Sequence, residues 1–175
     1  MVSLKGSNIY LRALEPEDLE FVYSIENNTS FWELSDIKQP YSRYIIKEYL
    51  QNAKQDIFEA KQLRLVICEN STNELLGLID LYDFNPIHNR VGLGILIKDE
   101  SNRGKGIGKE SLNLLMNYCF KVLHLKQVYV NISENNLASL KLFETNGFEI
   151  IGLKKDWRFD GEIYTNEYIL QRINN

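Results

Sequence analysis

The stretch at residues 102–109 constrains this chain more than any other. It reads Asn-Arg-Gly-Lys-Gly-Ile-Gly-Lys and lies between an apolar, strand-like run and an amphipathic helical pattern. Its three glycines let the backbone bend sharply and approach a ligand closely. The first amides of the following helix have no intrahelical acceptor, and the helix dipole favours an anion there. Together with Arg103, Lys105 and Lys109, the pattern predicts a phosphate-binding turn between a strand and a helix.

Composition limits the partners of such a turn. A chain of 175 residues that is 44% hydrophobic predicts a single domain spanning 1–175. A net charge of −4 argues against nucleic-acid binding, so the basic turn suits a small anionic ligand. No apolar run approaches the ~20 residues that span a bilayer, and the first residues lack a signal core, which predicts no membrane contact and a cytoplasmic protein. Cys68 and Cys119 lie in apolar patterns without metal-like spacing, which predicts reduced thiols and no metal site.

Hydrophobic periodicity predicts a mixed α/β sandwich. The predicted strands are 9–14, 63–68, 75–84, 91–98, 127–132, 148–153 and 162–171. Helices are predicted to open near Pro16, after Pro40, after the glycine turn and after Asn136, with a turn-rich loop running through Ser35. The helical crossover after 91–98 should make 127–132 its parallel neighbour.

Glycines inside the third strand of the predicted sheet are unusual. Gly92 and Gly94 predict a bulge or a close backbone approach, since glycine weakens a strand interior. The alternative is that they relieve crowding under an aromatic neighbour.

Two nucleotide-binding motifs fail on spacing. No window fits the G-x-x-x-x-G-K-[ST] pattern of an ATP-binding loop. The chain has G-x-G-x-G rather than the dinucleotide fingerprint G-x-G-x-x-G, and His124 and Leu125 stand where an acidic residue should follow.

Two other motifs resemble those of the GNAT N-acetyltransferase superfamily. Arg103-x-x-Gly106-x-Gly108 is similar to its pyrophosphate loop. About 30 residues later, the segment 136–148 resembles its second signature, N-x-x-A-x-x-L-Y-x-x-x-G-F. The resemblance covers essentially the whole chain. It implies a mostly antiparallel twisted sheet of six to seven strands, with a splayed parallel pair, flanked by about four helices.

The resemblance also implies acetyl-CoA as the acyl donor. The main chain of Leu96 and Ile97 should pair with pantetheine, the amides of the glycine turn should hold the pyrophosphate, and Asn136 should reach the cofactor from the far side. The implied cofactor residues are Leu96, Ile97, Arg103, Gly104, Lys105, Gly106, Ile107, Gly108, Lys109, Asn136, Ser139 and Phe143. The alternative for Arg103 and Lys105 is ordinary solvated charge.

The implied reaction is attack of a neutral amine on the thioester, with backbone amides near Ile95 or Leu96 stabilising the oxyanion. A primary amine has a pKa of ~10, so a base or a water chain must take its proton. This sequence departs from its relatives at two positions that serve proton transfer. Gly92 stands where many relatives carry a carboxylate, and Phe143 stands where they often carry a tyrosine.

Four residues are predicted as substitutes for these missing groups. Ser139 would meet the thiol, or would be a small packing residue. Asp80 and Asp83 would act as base through water, or would be exposed hairpin charges. Tyr129 would face the site, or would belong to the core.

Residues in the first third of the chain should determine which amine accepts the acetyl group. Segments 27–34 and 123–129, with the Pro40-Tyr41 step, resemble bacterial spermidine N-acetyltransferases, although 42–48 replaces their acid-rich second helix. A small diamine or polyamine is therefore the predicted acceptor. The predicted substrate residues are Trp32, Glu33, Asp36, Tyr41 and Tyr82. For Trp32 and Tyr41, covering the edge of the core is the alternative.

Two other functions stay open for the chain as a whole. One is an Nα-acetyltransferase acting on a protein N-terminus, as in the ribosomal-protein enzymes that share this layout. The other is an acyl-CoA-binding regulatory module with weak or no catalysis. Relatives also imply a homodimer.

Overall fold

A seven-stranded mixed sheet organises the computed structural model, which describes residues 2–35 and 39–175, without the side chains of Glu33 and Ser35. The strands are β1 (Ile9–Ala13), β2 (Leu63–Glu69), β3 (Leu75–Asn85), β4 (Arg90–Ile97), β5 (Gln127–Ser133), β6 (Glu149–Phe159) and β7 (Tyr164–Ile173). Their order across the sheet is β1-β2-β3-β4-β5-β7-β6. The β4–β5 pair is parallel and the other pairs are antiparallel, which confirms the predicted fold class.

Helices cover both faces of the sheet. They are α1 (Leu19–Glu26), α2 (Thr29–Ser35), α3 (Arg43–Asn52), α4 (Ile57–Ala60), α5 (Ile107–Lys121) and α6 (Leu137–Glu144), with 3-10 turns at Pro16–Asp18 and Glu100–Asn102. The larger core contains buried residues of α5, α6 and the sheet, while smaller clusters lie under α1, α2 and α3. Successive side chains of β3 point to opposite faces of the sheet. Ile79 and Leu81 therefore pack in the larger core, and Leu78 packs in a smaller cluster on the other face.

The predicted loop through Ser35 is wrong, because helix α2 occupies Thr29–Ser35. The Asn28 side chain accepts hydrogen bonds from the Ser30 amide at 3.0 Å and the Ser30 hydroxyl at 2.8 Å. Phe31 is buried beneath the helix. The polar residues that look like a loop in the sequence therefore cap and flank a short helix.

The predicted bulge in β4 is also wrong. The β3–β4 ladder keeps one register from Gly77↔Ile97 to Tyr82↔Gly92, and its irregularity lies between Tyr82 and Asn85 of β3. A Cβ atom on Gly92 would lie closer than 3.0 Å to three ring carbons of Tyr82, whereas one on Gly94 would meet nothing within 4 Å. Crowding under an aromatic neighbour therefore explains Gly92.

Strands β4 and β5 separate after a short contact. They pair from Arg90↔Gln127 to Gly92↔Tyr129, and β4 then stays with β3 while β5 stays with β7. Because the glycine turn follows the end of β4, it lies at the wide end of the wedge that opens between these two strands. The narrow end of the wedge, its apex, lies where Gly92 pairs with Tyr129.

Candidate active site

The glycine turn has the backbone geometry of an anion site. Gly104 and Gly106 have φ values of 74° and 84°, in the left-handed region that favours glycine. Gly106 is the N-cap of α5, and the Glu110 amide makes the first bond to its carbonyl, at 2.9 Å. The amides before Glu110 in the first turn therefore have no intrahelical acceptor. A Cβ on Gly106 would point into open space, which leaves room for a phosphate.

Other residues of the turn have partners within the chain. The Arg103 amide donates to the Glu100 carbonyl at 3.0 Å, so it is not free for a pyrophosphate. Its guanidinium lies 3.6 Å from the Glu100 carboxylate on the surface. Gly108 serves packing, since a Cβ there would approach Leu142 of α6 to 3.3 Å.

The main chain of β4 presents alternate residues to the wedge. The Lys98 amide donates to the Leu76 carbonyl at 2.9 Å, directly opposite it in the antiparallel ladder. Because bonded and non-bonded pairs alternate in such a ladder, Leu96 also pairs with β3. The amide and carbonyl groups of Ile95 and Ile97 point the other way, into the wedge.

Helix α6 closes the far side of the wedge. Asn136 is its N-cap, and the side-chain oxygen accepts a hydrogen bond from the Ser139 amide at 3.2 Å. Ser139 is half-buried on the first turn. Phe143, however, is only 2% exposed and packs edge-on against Phe148, with ring centroids 5.0 Å apart. Phe143 therefore lies in the core.

Two phenol rings lie where β4 and β5 separate. Tyr82 and Tyr129 meet edge to face at 6.1 Å, on the face of the sheet opposite α5. Asn131 donates to the Tyr82 oxygen at 3.4 Å, and the Tyr129 hydroxyl lies 3.5 Å from the Asp83 carboxylate. Burial raises the pKa of Tyr82 to about 12, and burial together with Asp83 raises the pKa of Tyr129. Both phenols therefore stay protonated at neutral pH.

A pocket of about 440 Å³ leads away from Tyr82 between the sheet and the N-terminal helices. It is lined by Val22, Glu26, Tyr41, Ile45, Ile46, Tyr49, Gln62, Leu63, Arg64, Asp80, Leu81 and Tyr82. Arg64 holds both oxygens of Asp80, at 2.7 and 3.0 Å, and one oxygen of Glu26 at 2.6 Å. Burial opposes the charge on Arg64, but the carboxylates outweigh it and raise its pKa.

The predicted substrate residues divide between the pocket and other places. Tyr41 and Tyr82 line the pocket, and Asn27 holds the Tyr41 main chain through bonds of 2.8 and 3.0 Å. Trp32 is not a lining residue; its indole N–H donates to the Glu26 carbonyl at 2.8 Å. Asp36 and the Glu33 side chain lie outside the described residues.

Sequence reasoning did not single out Glu26 or Arg64. The available signal was a charged residue at position 64 inside an otherwise apolar strand.

Two findings limit other kinds of site. No helix within 2–35 and 39–175 is long and apolar enough to cross a membrane. In the same ranges, no group of three or more His, Cys, Asp or Glu side chains could hold a metal ion.

Comparison with known protein families identifies the family of this chain. Residues 8–149 match the acetyltransferase (GNAT) domain. This chain belongs to the GNAT acetyltransferases. Members of the family transfer an acetyl group from acetyl-CoA, so the GNAT chain described here is an N-acetyltransferase.

Spermidine N-acetyltransferases are among the relatives of this GNAT chain. The spermidine N(1)-acetyltransferase of Vibrio cholerae is 32% identical over 146 residues, covering 82% of this chain and 80% of the relative. The Escherichia coli K12 enzyme is 30% identical over 149 residues, covering 83% and 75%. A crystal structure of the V. cholerae enzyme with CoA and spermine superposes with a TM-score of 0.83 at 27% identity, covering 96% of both chains. A dodecameric structure of that enzyme gives 0.80 at 27% identity, covering 96% and 95%.

Proposed function

We propose that this GNAT enzyme binds acetyl-CoA and transfers its acetyl group to a primary amine of a small diamine or polyamine. The observation that carries the proposal is the wedge between β4 and β5. The anion-binding turn lies at its wide end, and the acid-containing pocket opens beside its apex. Relatives that acetylate spermidine support the choice of acceptor.

The chain would hold acetyl-CoA by its main chain. The amides of Gly104, Gly106, Ile107, Gly108 and Lys109 are assigned to the pyrophosphate, with Lys105 as a surface cation beside them. In β4, the main-chain amide and carbonyl groups of Ile95 and Ile97 are assigned to pantetheine, because those of Leu96 pair with β3. On the far side, Asn136 has its amide N–H₂ left to donate. When bound, acetyl-CoA supplies a thioester carbonyl that a neutral amine can attack.

Proton transfer is assigned to the residues at the apex of the wedge. Asp80 is clamped by Arg64 and is poorly placed to accept a proton. Asp83 is exposed beside Tyr129, so it acts as base through water. Tyr82 stays protonated and serves as a hydrogen-bond donor to developing negative charge. Away from the apex, Ser139 on the first turn of α6 would donate a hydrogen bond to the thiol sulfur of the cofactor.

Copies of the chain are also proposed to associate, as the resemblance to oligomeric relatives implies. Support comes from the relative in V. cholerae, whose structure is described as dodecameric. A run of exposed apolar side chains on β6 and β7 offers a surface for it.

Release of free thiol from acetyl-CoA tests the function directly. The amine panel contains diamines, spermidine, spermine, amino sugars and N-terminal peptides, with acetyl-CoA binding followed separately by thermal shift. Turnover with diamines or polyamines is the expected result. A response to peptides alone would replace this acceptor with a protein N-terminus. Binding of acetyl-CoA with no turnover on any amine would overturn the enzyme assignment.

A further inference from the structure

We infer that Arg64 sets the charge of the acceptor pocket so that the preferred acceptor is a diamine, with one ammonium besides the reacting amine, rather than a longer polyamine. The inference rests on the proposed function and narrows its substrate class. It depends on three charged side chains that neither the reaction nor cofactor binding uses.

The described charged residues of the pocket form one ion cluster. Glu26, Arg64 and Asp80 are the charged side chains among its described lining residues. Arg64 bridges the other two through three hydrogen bonds of 2.6 to 3.0 Å. Glu26 is 12% exposed, Arg64 26% and Asp80 30%, so the cluster is partly shielded from water, most of all at Glu26. With two carboxylates and one guanidinium, the cluster carries a net charge of −1.

That charge matches a diamine. The attacking nitrogen must be neutral, so a diamine brings one remaining ammonium into the pocket, spermidine two and spermine three. A second ammonium would meet carboxylates already engaged by Arg64, and an ammonium buried without a counter-charge is costly. A monoamine would leave the net negative charge without a partner.

Length and lining agree with this assignment. Tyr82 lies at the apex of the wedge, and Asp80 lies two residues away on β3, about 7 Å along the strand. The two nitrogens of a four-carbon diamine are about 6 Å apart when extended, from bond lengths near 1.5 Å. Among the other lining residues, the accessible side chains of Tyr41, Ile45 and Tyr49 offer apolar contact to a methylene chain.

The test compares kcat/KM for 1,4-diaminobutane, spermidine and butylamine across charge variants. Wild-type enzyme should prefer the diamine over both other amines. Arg64→Gln makes the net charge of the cluster more negative, from −1 to −2. The ratio of kcat/KM for spermidine to that for the diamine should therefore rise at least about tenfold, within the range measured for close charge pairs. The double variant Arg64→Gln/Asp80→Asn returns the net charge to −1 and should restore the wild-type ratio.

A matched control separates pocket charge from general charge effects. Arg43 makes a similar two-bond contact with Glu20, at 2.8 and 3.0 Å, but both residues are exposed and outside the pocket lining. Arg43→Gln should leave the ratio unchanged.

Thermal shift with each amine, measured in the presence of CoA, gives a readout of binding that does not depend on catalysis. If Arg64→Gln fails to fold, the order of the three amines with wild-type enzyme, in kcat/KM and in thermal shift, still tests the inference. The inference is overturned if wild-type enzyme prefers spermidine, if Arg64→Gln folds with an unchanged ratio, or if the double variant behaves like the single one. Absence of turnover with every amine would instead count against the proposed function.

Discussion

Gly106 is the residue on which cofactor binding depends most directly. It combines a φ of 84° with open space where a side chain would begin, next to the free amides of α5. Gly106→Asp would put a carboxylate into that space, so repulsion of the pyrophosphate should lower acetyl-CoA affinity by more than about tenfold. Isothermal titration with acetyl-CoA measures the change.

Gly161 provides the control for backbone strain. It also has a positive φ, of 112°, and open space around it, but it lies in the β6–β7 turn. Gly161→Asp should cost some stability and leave acetyl-CoA affinity unchanged. Equal loss of affinity in both variants would show that the Gly106 effect is not local.

Gly92 and Tyr82 form a residue pair whose coupling can be measured. Because a Cβ at position 92 would overlap the Tyr82 ring, Gly92→Ala should lower the free energy of unfolding by about 1–3 kcal/mol, the usual cost of overpacking. In a Tyr82→Ala background the same change should cost little. Urea unfolding of the four proteins gives the interaction energy, and additive effects would contradict the geometry.

The pKa of Tyr82 makes a prediction about alkaline stability. Its folded pKa of about 12 lies above the ordinary value of 10, so the unfolded chain releases this proton first as the pH rises. The neutral phenol therefore contributes fully below pH 10, and its contribution falls between pH 10 and 12, by at most about 3 kcal/mol. Tyr82→Phe should lose less stability than wild-type protein between pH 10 and 12 in urea unfolding. Parallel curves for the two proteins would contradict this shift.

At the scale of elements, the strands and the α5 turn were predictable because their signals are local. Alternating apolar residues and glycines with positive φ report directly on backbone geometry. Helix α2 was missed because Asn28 and Ser30 favour loops and helix caps equally, and only burial of Phe31 under the helix decides between them. The Glu26–Arg64–Asp80 cluster joins three elements far apart in sequence, so no local pattern could reveal it.

The cap of α2 is itself testable. Asn28→Ala removes the side-chain acceptor for the Ser30 amide and should cost about 1 kcal/mol of stability. Since Trp32 on this helix bonds the Glu26 carbonyl at the pocket, the Michaelis constant for the amine should rise as well. Thermal unfolding measures the loss of stability, and steady-state kinetics measures the Michaelis constant. Asn28→Asp keeps an acceptor oxygen, so its stability and its Michaelis constant should stay close to those of the wild type.

At the scale of the whole molecule, the proposed association of copies of the chain would use the β6–β7 hairpin. Strand β6 ends the sheet, and Ile151 on it is 53% exposed, together with other apolar side chains of the hairpin. Exposed apolar side chains on an edge strand favour pairing with another chain, and a lysine placed among them opposes pairing. Light scattering after gel filtration should give a mass above the 20.5 kDa of one chain, and Ile151→Lys should shift it towards that value. Ile87→Lys changes an 84% exposed isoleucine between β3 and β4, so the mass should not move. A monomeric wild-type chain, or equal effects of the two lysines, would show that the hairpin does not hold copies together.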